Sequence, residues 1–192
     1  GDAARAVIDR WVADGICEPG HAEALHRVLD HPEWFDLSDR TVVLLGAGSE
    51  AGPLAWLARW RARIVAVDLP RADLWQRIAS TVSQGNATLV ASVRMGLPLE
   101  MKHAGADLLT DTPEIAAWLC ELPDAALDLG AIVYLDGEKH VRVVMGMDAI
   151  ANTVLAAKPA STRMTMATPT DAFTVPEAIA RAAMQRFEQR SL

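Results

Sequence analysis

The chain has 192 residues, which makes one domain or one domain with a small appendage. With 51% hydrophobic residues a large core is available, and a net charge of −7 without any basic block argues against nucleic acid or an anionic membrane as a partner. Cys17 and Cys120 lie far apart and outside any C-x-x-C spacing, the longest apolar runs are too short to span a bilayer, and no signal-peptide pattern opens the chain, so the expectation is a cytoplasmic protein with reduced thiols.

Residues 2–14 carry Ala3, Val7, Trp11 and Val12 at helical spacing, with Gly15 as a stop. A second helix is expected over residues 20–29, with Ala24, Leu25, Val28 and Leu29 on one side. Trp34 and Phe35 then pin this helical pair onto the sheet domain. His21, His26 and His31 recur every five residues, which spreads them around a helix and serves metal binding poorly, so they read as surface histidines. Residues 1–37 are thus expected to be a helical extension and 38–192 the main domain.

Residues 41–70 (TVVLLGAGSEAGPLAWLARWRARIVAVDLP) organise the rest. Residues 41–45 are an apolar run without helical period, as in a strand covered on both faces. Gly46, Gly48 and Gly52 punctuate a turn, and Pro53 suits the first turn of a short helix over 54–60. A second buried strand over 64–67 ends on Asp68, 20 residues past Gly48. Glycines let a backbone approach a ligand closely, and a carboxylate at the tip of the second strand can accept hydrogen bonds from a ribose diol. On these residues the stretch resembles the nucleotide-binding βαβ unit of Rossmann-fold NAD(P)-dependent oxidoreductases. The resemblance implies cofactor contacts at Gly46, Gly48, Ser49, Gly52 and Asp68, with NAD as cofactor.

Past this unit, residues 74–82 predict a helix with Trp75 and Ile78 inward, and residues 87–93 a strand. Gly96-Leu97-Pro98 opens a connection with a short helix to about Ala104, and residues 106–110 (ADLLT) read as another strand. That strand enters Asp111-Thr112-Pro113-Glu114, where Asp111 or Thr112 can cap the next helix and Pro113 fits its first position. The run is similar to the fourth-strand segment of many NAD(P) dehydrogenases, which implies that Asp111 and Thr112 border the cofactor; an ordinary capped helix start accounts for it equally well. After a helix over 114–122, residues 130–145 hold Asp136-Gly137 between two apolar runs, a hairpin signal. A helix over 148–157, a strand over 163–167, a polar loop at Thr168-Pro169-Thr170-Asp171 and a helix over 176–187 complete the chain. About six or seven strands, several joined through helices, predict an α/β three-layer Rossmann-like sandwich with a mainly parallel sheet.

The chemistry legible at this level is that of a cradle. Short-chain dehydrogenases place a tyrosine and a lysine four apart on one helix; here the only tyrosine is Tyr134, position 138 is Glu138, and Lys139 comes one residue late. That catalytic pair is absent, and no G-x-S-x-G elbow or Walker lysine replaces it, so catalytic residues are not assigned. Three readings stay open: the NAD(P)-binding domain of an oxidoreductase, an S-adenosylmethionine-dependent methyltransferase, or a degenerate Rossmann interaction or regulatory module. The second draws on the similarity of residues 52–70 to that family's first motif and acidic second strand, and Glu50 suits a cosubstrate without phosphates. Asp68 implies NAD over NADP, although Arg71 can soften the preference if it turns inward. Few residues remain to wall a substrate, so weak turnover by the chain alone is expected, with completion by a homodimer partner or by a further domain beyond Leu192.

Overall fold

The computed structural model describes residues 1–165 and 176–189. Within them, five short segments become strands: β1 (Thr41–Leu45), β2 (Arg63–Val67), β3 (Thr88–Ala91), β4 (Asp128–Ala131) and β5 (Thr162–Thr165). All neighbours run parallel, in the order β3-β2-β1-β4-β5. The helices are α1 (Asp2–Ala13), α2 (Pro19–Asp30), α3 (Leu54–Leu57), α4 (Ala72–Ser83), α5 (Thr112–Glu121), α6 (Gly137–Ala157) and α7 (Glu177–Gln189).

Side chains of a strand alternate between faces, so a run buried throughout needs cover on both. In β1, Val43 and Leu45 join Val65, Val67 and Leu129 against α5 and α6, where Leu119, Met147, Ile150 and Val154 complete one core. Val42 and Leu44 join Ile64 and Ala66 on the opposite face, against Leu54 and Leu57 of α3 and Leu74, Trp75 and Ile78 of α4. The result is a three-layer α/β sandwich. None of the described helices is long and apolar enough to cross a membrane.

The N-terminal helices pack on one another and bury Ile8 and Ala22. His26 bonds to Asp9 at 2.9 Å, and His31 stacks on Trp34 at 4.5 Å while bonding to Glu33 at 2.7 Å. The pair is tied to the sheet domain by Phe35, edge-on to Trp60 at 5.1 Å, and by the Leu37 N–H, which donates to the Trp60 carbonyl at 2.7 Å.

Two expected strands are not formed. Residues 106–110 are a loop and turn: Asp107 Oδ1 accepts the Leu109 N–H at 2.8 Å, and its carbonyl accepts from Thr110 and Asp111. Such local bonds compete with a ladder, and buried Leu108 supplies the apolar contact that mimicked one. The hairpin at Asp136-Gly137 is instead the start of α6, with Asp136 at the N-cap position and Gly137 at φ +63°. Val143, Met147, Ile150, Ala151 and Val154 recur at helical spacing across Gly146, so the helix expected over 148–157 is only the second half of α6. Gly146 admits close packing: a Cβ there would lie 2.6 Å from the Leu108 carbonyl oxygen. β5 covers the first part of the strand expected over 163–167, and the loop at Thr168–Asp171 lies outside the described residues.

At the N-terminal end of the sheet, Arg40 grips Asp128 with two bonds of 2.7 Å, and the Thr162 hydroxyl also donates to this carboxylate. Burial works to raise the Asp128 carboxyl, but the Arg40 and Thr162 bonds outweigh it and hold the group below its ordinary value. A carboxyl depressed by folding stabilises the protein above its unfolded value and loses that contribution as pH falls through the folded one. Asp128→Asn is therefore expected to flatten the acid limb of stability below about pH 4 while lowering stability at pH 7, as read by urea denaturation across pH. An acid limb identical to that of wild type would remove Asp128 from the acid response.

Candidate functional site

Strand order reverses between β1 and β4, since the chain leaves β1 one way through β2 and β3 and returns on the other side as β4. The loops beyond these strand ends splay apart, and a crevice forms there. A cleft of about 320 Å³ occupies this position, lined by the glycine turn, the tip of β2, the loop at 107–109, the loop after β4 and the start of α6.

The tip of β2 is held rigidly. Asp68 Oδ2 accepts the Gly48 N–H at 2.7 Å and Oδ1 accepts the Leu69 N–H at 2.8 Å, so the carboxylate is fixed while each oxygen keeps acceptor capacity. Trp75 Nε1 donates to the Leu69 carbonyl at 3.0 Å, and the Ala106 N–H donates to the Asp68 carbonyl at 2.9 Å. Gly105 makes this approach possible at φ +114°; a Cβ there would lie 2.6 Å from the Trp75 indole nitrogen and 2.7 Å from the Asp68 carbonyl oxygen. Arg71 lines the cleft and pairs with Asp73 at 2.6 Å. That hydrogen bond holds the Asp73 carboxyl below its ordinary value.

The glycine turn takes up most of its own donors. Gly46 and Ala47 donate to the Val67 carbonyl at 2.9 and 3.2 Å, Gly48 to Asp68, Ser49 to the Gly46 carbonyl at 3.1 Å, and Gly52 to the Ser49 carbonyl at 2.9 Å. The helix behind the turn, α3, has only four residues. A pyrophosphate seated here must draw these N–H groups from internal acceptors, next to an exposed Glu50.

Of the residues singled out from sequence, Gly46, Gly48, Ser49 and Asp68 meet in the cleft. Gly52 lines an adjoining depression between α3 and α4. Asp111 faces a separate groove of about 570 Å³ beside Arg94, Glu114 and Trp118, and its Oδ2 accepts the Asp107 N–H at 2.9 Å. The Thr112 hydroxyl donates to the Leu108 carbonyl at 2.7 Å, in the first turn of α5. Cleft residues that sequence reading passed over are Asp107, Tyr134 as a lining group and Lys139. Their signal is positional: Asp107 precedes the T-P helix start, and Lys139 sits in the first turn of the helix after a strand that pairs with β1. That pairing is not local in sequence.

No protein-family model, no curated protein and no solved structure matches the chain.

Proposed function

We propose that the chain is a Rossmann-like cofactor-binding domain that holds an adenosine nucleotide by its ribose at Asp68, with NAD as the cofactor of an oxidoreductase. The observation that carries this reading is the Asp68 carboxylate, fixed by two backbone N–H groups at the tip of β2 in the cleft where strand order reverses. A ribose diol donating to such a carboxylate makes charge-assisted hydrogen bonds, the stronger kind. A second reading, S-adenosylmethionine, is favoured by the internally bonded N–H groups of Gly46, Gly48 and Ser49 and the short α3, because that cosubstrate brings no phosphate. Tyr134 is 86% exposed at the cleft, and Leu135 beside it is exposed as well. An open, partly apolar rim supports completion of the site by a second copy of the chain or by a further segment.

Calorimetric titration with NAD, NADP and S-adenosylmethionine tests both readings. With NAD as ligand, the 2′-phosphate of NADP meets the Asp68 carboxylate, and Arg71 is taken up by Asp73. NAD is expected to bind at least about tenfold tighter than NADP. Asp73→Asn releases Arg71 and is expected to narrow that gap. Tighter binding of NADP by the wild type would overturn the assignment of Asp68, and failure of all three ligands to bind would overturn the function.

A further inference from the structure

The cleft has two ends of different chemistry. Asp68, the glycine turn and Arg71 make one; the loop after β4 and the first turns of α6 make the other, where Ile132, Val133, Leu135, Val143 and Met147 line the cleft together with Lys139. We infer that this second end is a substrate pocket for a small carboxylic acid with a branched or aromatic body, its carboxylate paired with the Lys139 ammonium. The inference rests on the cofactor reading only for what occupies the opposite end.

Among the lysines, Lys139 stands apart. The chain has three lysines, Lys102, Lys139 and Lys158. Lys102 pairs with Glu100 at 2.8 Å, and Lys158 donates to the Leu122 and Asp124 carbonyls at 2.8 and 2.7 Å. Among the described residues Lys139 has no such partner: its neighbour Glu138 pairs with Arg142 at 3.6 Å, and Arg71, the other cation at the cleft, is held by Asp73. In a chain of net charge −7, where carboxylates outnumber cations, a lysine left unpaired at an apolar pocket invites an anion from outside. Asp68 and Asp107 line the rest of the cleft and repel a carboxylate, which directs the anion to the α6 end. The apolar residues leave room for a hydrocarbon body and offer it little hydrogen bonding.

The test compares 3-phenylpropanoate with its neutral isostere 3-phenylpropanamide, by calorimetry on the full chain, with and without saturating NAD. Wild type is expected to prefer the acid by at least about tenfold, Lys139→Met to bring the two within about twofold, and Lys139→Arg to keep the preference. Lys139 is exposed, so Lys139→Met is expected to leave the circular dichroism spectrum and the urea midpoint as in wild type. A wild type that binds neither probe or does not distinguish them, or a preference that persists in Lys139→Met, overturns the inference. A Lys139-dependent preference without NAD binding would sink the cofactor reading and uphold this one; NAD binding without the preference would do the reverse.

Discussion

Gly48→Val is expected to weaken cofactor binding more than about 100-fold, close to 3 kcal/mol, while the sheet stays folded. A Cβ on Gly48 would lie 2.4 Å from Leu74 Cδ1 and 3.2 Å from Asp68 Oδ2. A branched side chain there fills the floor of the cleft and pushes the carboxylate out of the position that its bond to the Gly48 N–H defines. The fold is spared because the closest atom is the tip of a flexible leucine and the Gly48 backbone is not in the left-handed region. The overpacking is expected to cost about 1–3 kcal/mol. Calorimetry and urea denaturation of the same preparation read the two effects separately. Unchanged binding would move the cradle away from the glycine turn.

The unit from β1 to the tip of β2 was legible because its signals are local. An apolar run between polar residues, three glycines and a terminal aspartate suffice, and β1 spans the residues expected. Reading stopped where one local pattern serves two structures. Asp136-Gly137 suits a tight turn, and it equally suits a helix start with aspartate at the N-cap and glycine at positive φ. What decides is the burial of Val143, Met147, Ile150 and Val154 on one face, visible only when the helical period is carried across Gly146. Residues 106–110 fail for a different reason. Their partner is the Asp68 carbonyl, far off in sequence, and Asp107 turns the chain with its own side chain. Lys139 reaches the cleft because β4 returns beside β1, and Asp107 because Ala106 bonds to the Asp68 carbonyl, tertiary facts that no short motif encodes.

The same logic separates the first glycine from the second. Gly46→Ala is expected to destabilise the protein by about 3–5 kcal/mol, far more than a methyl group placed at Gly48. Gly46 lies at φ +86°, where an L side chain is strained, and its Cβ would fall 2.2 Å from the Ile132 carbonyl oxygen. That oxygen belongs to backbone and cannot swing aside as a leucine tip does. The Ile132 N–H donates to the Leu45 carbonyl at 2.9 Å, so the residue continues the β1–β4 ladder directly under the turn. Relief of the clash has to part β1 from β4, and the cleft lies between their ends. Loss of binding in Gly46→Ala is therefore expected to track loss of stability in urea, whereas in Gly48→Val it outruns it. A Gly46→Ala protein within about 1 kcal/mol of wild type would show that β1 and β4 are not held this closely at the turn.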